Sequence, residues 1–157
     1  MEYGFFVRGQ YRQGDDMAAR FKELMEQVRL ADKLGFADLI SGMHYAGYPL
    51  SQFQLMPFLS RAIAETPNMR IVTGIILLSL HKPLDIAESL ATMDVLSGGK
   101  VIFGSALGYR EVEFLAFGTS QKERVRRFEE NLIAIRRAGA DQIITYHARD
   151  ALSGGWL

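Results

Sequence analysis

The stretch "MRIVTGIILL", residues 69–78, is almost continuously apolar and contains several β-branched side chains. A strand without a polar side is covered on both faces, which is typical of a parallel sheet. His81 and Lys82 end the apolar run, and Pro83 after them suits the first turn of a helix. The stretch therefore predicts a buried strand followed by a helix, the repeating unit of an α/β fold.

Four other segments have the same strand-like character. They are "YGFFV" (3–7), "FADLIS" (36–41), "KVIFG" (100–104) and "QIITY" (142–146). Each is short and contains aromatic or β-branched residues, as strands do. Strands that alternate with helix-length segments indicate a parallel sheet with right-handed crossover connections.

Apolar residues at helical spacing occupy the segments between these strands. The stripe of the first predicted helix is Met17, Phe21, Leu24, Val28 and Ala31, and the second helix covers 52–65 with Leu55, Leu59, Ala62 and Ile63 inward. The third helix runs from Pro83 to the Gly98-Gly99 pair. Ser120 and Glu123 predict a capping box before the fourth, whose stripe is Val125, Phe128, Leu132 and Ile135. The end of the chain, 147–157, predicts a short helix or a frayed tail.

Two α/β architectures fit this alternation, a doubly wound sheet and a (β/α)8 barrel. The first strand-to-helix turn, "VRGQYRQGD" (7–15), is long and lacks the Gly-x-Gly-x-x-Gly phosphate loop of a dinucleotide-binding fold, which favours the barrel. A full barrel takes about 200 residues or more. We therefore predict one domain over 1–157, a partial (β/α)8 TIM-type barrel of about five parallel strands with crossover helices.

The composition is that of an ordinary globular protein. Lys plus Arg and Asp plus Glu number 18 each, so no basic excess points to nucleic acid or a membrane surface. There is no cysteine, which excludes disulfides, thiolate nucleophiles and cysteine-ligated metals. Residues 1–10 lack a basic segment followed by a long apolar run, so we expect no signal peptide and a cytoplasmic protein.

Ligands bind at the carboxyl ends of the strands in either architecture. The polar and aromatic residues that follow the predicted strands are Arg8, Tyr11, Met43, His44, Tyr45, Tyr48, Ser79, His81, Ser105, Tyr109, Arg110 and Glu113. Two of the three histidines belong to this set, but His44 and His81 are 37 positions apart and lack metal-ligand spacing. We therefore predict no metal site.

The residues alone leave two interpretations open for each main candidate. His44 can act as a general base or hydrogen-bond donor, or it can be a loop histidine stacked among tyrosines. Arg110 can clamp an anionic ligand, or it can pair locally with Glu111 or Glu113, which the bare sequence favours. No Gly-x-Ser-x-Gly, Walker or His-Glu-x-x-His motif occurs, so an enzyme of this sequence would hold a cofactor rather than supply its own nucleophile.

Three long stretches resemble the bacterial luciferase-like family of flavin-dependent monooxygenases. They are "AARFKELMEQVRLADKLGFADLISGMHY" (18–45), the segment 68–118, which ends in "DVLSGGKVIFGSALGYREVEFLAFG", and "KERVRRFEENLIAI" (122–135). Members of this family are (β/α)8 barrels that use reduced FMN or, in some branches, a deazaflavin. The resemblance defines a luciferase-like segment over residues 1–137 and covers the N-terminal half of such a barrel.

The resemblance also implies roles for individual residues. His44 matches a position that faces the flavin, where it helps to stabilise the oxygenated cofactor or to orient the substrate. The end of the third strand, with Gly74 and Ser79, would lie beside the flavin ring. The loop after the fourth strand would border the flavin and substrate pocket, with Ser105, Gly108, Tyr109, Arg110 and Glu113. The expected reaction is oxidation of a small organic substrate by reduced flavin and oxygen.

The terminal segment, 138–157, departs from this pattern and weakly resembles the last βα unit of porphobilinogen synthase. Barrels of this kind hold the cofactor phosphate largely with loops after strands seven and eight. We therefore expect activity impaired by truncation, and two alternatives stay open: a non-catalytic half-barrel assembly module, or one subunit of a split flavoenzyme. Unpaired sheet edges, an uncovered inner face and zero net charge predict a homodimer or higher oligomer.

Overall fold

The structure is a computed structural model that describes residues 1–137, 144–145 and 148–155. The elements in chain order are β1 (Gly4–Val7), β2 (Gln10–Arg12), α1 (Met17–Lys33), β3 (Asp38–Ser41), β4 (Leu50–Gln52), α2 (Leu55–Ile63), β5 (Arg70–Thr73), β6 (Ile76–Leu77), α3 (Pro83–Ser97), β7 (Val101–Ile102), β8 (Gly104–Ala106), α4 (Glu111–Ala116), α5 (Arg124–Arg137), β9 (Ile144–Thr145) and α6 (Ala148–Ser153). Short 3-10 turns at Leu78–Leu80 and Gln121–Glu123 precede α3 and α5. None of the helices in these ranges is both long and apolar enough to cross a membrane.

The parallel strands follow one another across the sheet in chain order. Strands β1, β3, β5 and β7 form one parallel ladder, and β6, β8 and β9 form a second. Strand β6 follows β5 after a cis peptide between Gly74 and Ile75, and β8 follows β7 after Phe103. The two ladders together make five successive strands of a partial (β/α)8 barrel, which confirms the predicted fold class.

The outer face of the sheet is closed by helices. The register places Phe5, Leu39, Ile71 and Val101 in one row across β1, β3, β5 and β7, and Leu39 and Ile71 are at most 1% exposed. The helices cover this row with buried stripes: Leu24, Val28 and Ala31 of α1; Leu55, Leu59 and Ala62 of α2; Ile86, Leu90 and Met93 of α3; and Phe128, Leu132 and Ile135 of α5. Most of the predicted helical core positions are thus confirmed.

The inner face of the same strands is open. Phe6, Ile40, Val72 and Ile102 form the adjacent row, and none of the four is fully buried. Phe6 is 52% exposed. In a closed barrel this row would contact the remaining strands, so a single copy of the chain leaves an apolar surface uncovered.

Three local predictions need correction. The strand predicted over 69–78 is divided in two, because the chain turns at Gly74–Ile75 before it continues as β6. Val125 is 45% exposed, so burial along α5 begins at Phe128. The capping box does not form, because residues 121–123 make a 3-10 turn: the Ser120 hydroxyl accepts from the backbone N–H of Lys122, while the Glu123 carboxylate accepts from the Thr119 hydroxyl.

An antiparallel pair of short strands, which the sequence does not predict, joins the loops after β1 and β3. Strand β2 pairs with β4 so that Gln10 lies opposite Gln52. We call this pair the ribbon. Edge-to-face contacts from Phe53 to Tyr11 (5.6 Å) and Phe21 (5.3 Å) attach it to α1.

The last predicted elements are described in part. Of the strand predicted over 142–146, Ile144 and Thr145 form β9, and the rest lies outside the described residues. Helix α6 falls within the terminal segment, for which a short helix was one of two predictions.

Candidate active site

A cavity of about 180 Å³ opens at the carboxyl ends of the parallel strands. Its walls include Phe6, Gly42, Met43, Gly74, Ile75, Leu77, Ala106 and Gly108, with Arg8, Gln10, His44, Gln52 and Tyr109 as the polar or ring-bearing members. This is the end of the sheet at which barrel enzymes bind their ligands.

Glycine forms one side of the cavity because backbone and side-chain atoms of the adjacent strands leave no room for a Cβ. A Cβ built on Gly42 would lie 2.6 Å from the carbonyl oxygen of Gly74, and one built on Gly74 would lie 2.5 Å from Cγ2 of Ile40. Gly108 has a φ of +78°, which side-chain-bearing residues rarely adopt. With Ala106, these residues give the cavity a wall made mostly of backbone atoms, which a flat ligand can approach closely.

A buried carboxylate lies behind His44. Glu113, in the first turn of α4, is 1% exposed, and its Oε1 lies 3.0 Å from Nδ1 of His44. The same oxygen accepts from the backbone N–H of Tyr45 at 2.9 Å. The other oxygen, Oε2, is buried without a hydrogen-bond partner among the described residues. All hydrogen bonds of this carboxylate are therefore directed at the loop after β3.

This contact determines which nitrogen of His44 is available to a ligand. An ionised carboxylate only accepts hydrogen bonds, so the proton of a neutral His44 belongs on Nδ1. Nε2 then carries the free lone pair. Because His44 lines the cavity, its imidazole can accept a proton or a hydrogen bond from a ligand bound there.

Arg110 fixes the same loop from the other side. Its guanidinium donates to the carbonyl oxygens of Tyr45 (3.2 Å) and Ala46 (3.4 Å) and lies 3.6 Å from Oε1 of Glu113. Of the two possibilities open for Arg110, the structure shows local pairing with Glu113. The pair links α4 to the loop that carries His44, and Arg110 does not itself line the cavity.

The structure brings some of the predicted site residues together and separates others. His44, Gly74, Gly108 and Tyr109 line the cavity, and Glu113 and Arg110 lie behind it. Ser79 and Ser105 do not line it. The Ser79 hydroxyl donates to the carbonyl of Arg124 at 2.8 Å, while the Ser105 hydroxyl is buried without a hydrogen-bond partner among the described residues.

A second cluster packs behind the loop. The Tyr45 hydroxyl lies 3.3 Å from Nε2 of His81, and the ring of Phe117 contacts both rings edge-on. Burial, reinforced by the negative charge of Glu113, raises the pKa of Tyr45 to about 12. Burial also lowers the pKa of His81, which favours its neutral form. The cluster therefore supports the loop with uncharged side chains.

Sequence reasoning did not single out two polar residues at the cavity, Gln10 and Gln52, or Phe117 in the cluster behind the loop. Gln10 and Gln52 reach the cavity through the ribbon, whose polar three-residue strands carry no pairing signal. Arg8 was among the strand-end candidates. It lies two residues after Phe6, so the alternation of a strand places both side chains on the same face, and both line the cavity.

The family model of luciferase-like monooxygenases matches residues 1–152 of the chain. The chain belongs to the luciferase-like monooxygenase family. Because the match continues through residue 152, the weak resemblance of the terminal segment to porphobilinogen synthase has no support. Limonene 1,2-monooxygenase of Rhodococcus erythropolis is 27% identical over 145 residues, which cover 92% of this chain and 38% of the relative.

Several solved structures superpose on this chain. Monooxygenase RslO1 from Streptomyces bottropensis is 31% identical with a TM-score of 0.77, over 87% of this chain and 42% of that one. The oxygenating component of 3,6-diketocamphane monooxygenase of Pseudomonas putida, in complex with FMN, has a TM-score of 0.75 at 18% identity, and the match covers 86% of this chain and 38% of that one. An F420-dependent secondary alcohol dehydrogenase has a TM-score of 0.72 at 20% identity, and the match covers 90% of this chain and 43% of that one. This luciferase-like chain thus spans about two fifths of the length of these proteins.

The cavity of this luciferase-like chain fits one part of a flavin. The wall of Gly74, Ala106 and Gly108 suits a planar ring, because small residues expose backbone rather than side chains. His44 supplies one acceptor at the same cavity. Within the described residues there is no group of three or more acidic or histidine side chains arranged to hold a metal ion.

Proposed function

We propose that this chain forms the ring-binding half of a cytoplasmic flavin-dependent monooxygenase that oxidises a small organic substrate. The observation that carries the proposal is the contact between the buried carboxylate of Glu113 and the partly exposed imidazole of His44, at a glycine-walled cavity on the carboxyl side of a parallel sheet. Family membership supports the reaction class.

Within the proposed site, each residue has a separate task. Gly74, Ala106 and Gly108 hold the flavin ring by close backbone approach, and Tyr109 borders the substrate. Glu113 keeps the proton of His44 on Nδ1, so that Nε2 accepts the proton or hydrogen bond of the reacting group.

Reduced FMN is the proposed cofactor, and a deazaflavin is the alternative. Reduced FMN supplies, when bound, the two electrons that activate molecular oxygen, whereas a reduced deazaflavin would supply a hydride. The FMN complex of one structural neighbour and the F420 adduct of another support the two choices. The five strands seen here do not include strands seven and eight, whose loops grip phosphate in such barrels. Each missing charge-assisted hydrogen bond costs about 1.5–3 kcal/mol of binding, so we expect weak affinity.

Flavin titration tests this function. FMN fluorescence should be quenched by the wild-type chain, and Ala106→Phe should weaken binding about tenfold or more because the larger ring fills the cavity. Ala91→Phe is the matched control, since Ala91 is exposed on α3. Oxidised F420 is titrated in parallel to identify the preferred flavin.

Two results would overturn the proposal. Wild-type protein that quenches neither flavin would favour the non-catalytic assembly module. Equal affinities of Ala106→Phe and Ala91→Phe would mean that flavin binds elsewhere. Quenching that appears only after addition of a second polypeptide would instead favour the split-enzyme alternative.

We also propose that the open inner face is covered by self-association, as a homodimer or higher oligomer. The uncovered apolar row of Phe6, Ile40, Val72 and Ile102 supports this, together with the zero net charge. Light scattering at micromolar concentration should give a mass above that of one 17.6 kDa chain. A stable monomer across the micromolar range would contradict self-association.

A further inference from the structure

Arg8 is a cation at the cavity for which the described residues provide no partner. Among those residues, it is the only Arg, Lys, Asp or Glu that lines the cavity. Its guanidinium makes no hydrogen bond or ion pair with any residue in the described ranges, whereas Arg20, Arg70 and Arg110 each pair with carboxylates. Because Arg8 is also exposed, its charge is available to a ligand that enters from solvent.

The neighbours of Arg8 are neutral polar groups. Gln10 and Gln52, opposite each other in the ribbon, line the same cavity. The Gln52 amide nitrogen donates to the carbonyl of Gly42 at 3.0 Å, and no described residue donates to its amide oxygen. The ribbon side of the cavity therefore presents hydrogen-bonding groups and one positive charge, and no carboxylate from the described part of the chain lines the cavity beside it.

The remaining walls are different in chemistry. Met43, Ile75 and Leu77 line the cavity with apolar surface. A ligand that satisfies both sides has an apolar body and one anionic oxygen group. A guanidinium binds a carboxylate through two parallel hydrogen bonds, which a neutral amide cannot match.

We infer that Arg8 selects a substrate with a carboxylate at one end of an apolar body. This inference rests on the proposed function, because it names the substrate class of the same site. The shared chemistry, an anionic oxygen against Arg8, could also come from a bound flavin, so the test separates the two sources.

The test compares hexanoate with hexanamide, which have the same chain length and differ in charge. Binding is followed by amide chemical shifts in wild type, Arg8→Gln and Arg12→Gln. Arg12 is the control because it is also exposed and unpaired within the described chain but does not line the cavity. We expect wild type to prefer hexanoate by about fivefold, as suits a partly solvated ion pair. Arg8→Gln should lose that preference, Arg12→Gln should keep it, and added salt should reduce it.

Equal binding of the two ligands to wild type, a preference that Arg8→Gln retains, or a preference that Arg12→Gln loses as fully as Arg8→Gln would overturn the inference. FMN titration of the same variants separates the sources. If Arg8→Gln weakens FMN binding and leaves the hexanoate preference intact, the anion belongs to the cofactor and the inference fails.

The two proposals can fail separately. FMN binding without a hexanoate preference would refute the role of Arg8 and leave the proposed function standing. An Arg8-dependent hexanoate preference without flavin binding would do the reverse. Failure of wild type to bind any of the ligands would overturn both, and far-UV circular dichroism of each variant verifies that it is folded.

Discussion

The two faces of the same sheet differ in what covers them. On the outer face Leu39 and Ile71 are almost completely buried under helices, whereas on the inner face Phe6 is 52% exposed. Both rows are apolar, so the difference lies in the cover and not in the strands. Helices close the outer face within this chain, while the inner face of a barrel is closed by other strands. Stability should therefore come mainly from the outer row, and ligand binding from the carboxyl end of the inner one.

The largest expected effect compares two adjacent residues of β3. Leu39→Ala removes a fully buried side chain and should lower the free energy of unfolding by about 3 kcal/mol. Ile40→Ala, on the partly exposed inner face, should cost about 1 kcal/mol. Urea unfolding of both variants at low micromolar concentration measures the difference.

Protein concentration sharpens this comparison. If self-association covers the inner face, the cost of Ile40→Ala should rise with concentration while that of Leu39→Ala changes less. Equal costs at the lowest concentration would contradict an open inner face. If the difference between the two losses of unfolding free energy does not depend on concentration, the result argues against self-association through the inner row.

A smaller effect is expected at the carboxyl end of the sheet, where a polar contact replaces packing. Glu113→Gln removes the charge that Arg110 and the His44 Nδ1–H share, and we expect a loss of about 2 kcal/mol in unfolding free energy. Glu111→Gln, an exposed residue two positions earlier, is the control and should stay within about 0.5 kcal/mol of wild type. Equal stabilities of the two variants would show that the Glu113 contacts contribute little.

The smallest effect is a pH dependence from His81. Burial lowers its pKa in the folded protein, against opposition from the nearby Asp85 charge and with support from Arg127. The unfolded chain then binds a proton near the ordinary histidine pKa of about 6.5 while the folded chain does not. Stability should therefore fall as the pH drops below that value, until the pH reaches the lowered pKa.

His81→Gln should flatten this part of the stability profile between pH 7 and 5. Urea unfolding at several pH values measures this pH dependence. His44→Gln is measured in parallel as a second histidine variant, because His44 lines the cavity rather than the cluster behind the loop. Identical pH profiles of wild type and His81→Gln would refute the contribution of His81.

The barrel was predictable because its strands and helices have strong periodic patterns. The apolar run at 69–78 and the stripe Leu24, Val28 and Ala31 report local structure and burial together. The division of that run at Gly74 was not predictable, because an apolar run gives no sign of where the ladder changes. The ribbon was missed for the related reason that its pairing depends on two loops 40 positions apart.

The site was predictable only in outline. Strand ends indicated His44 and Glu113 as separate candidates, and family resemblance placed both near a flavin. Their 3.0 Å contact joins residues 69 positions apart, and no spacing rule relates a loop after one strand to a helix after another. The same limit applies to Ser79, which follows a strand as a ligand-binding residue would but donates its hydrogen bond to α5.

The ribbon supplies polar side chains at the cavity, and it is not part of the parallel sheet that forms the barrel. Its two strands have three residues each, and it is attached through Phe53 and the hydrogen bond from Gln52 to the Gly42 carbonyl rather than through the parallel ladder. Replacements at Gln10 can therefore alter which molecules enter without changing the barrel strands or the Glu113 contact, whereas a replacement at Gln52 also removes its bond to Gly42. Proteins of one fold can in this way differ in the substrates they accept while their reaction centre stays the same.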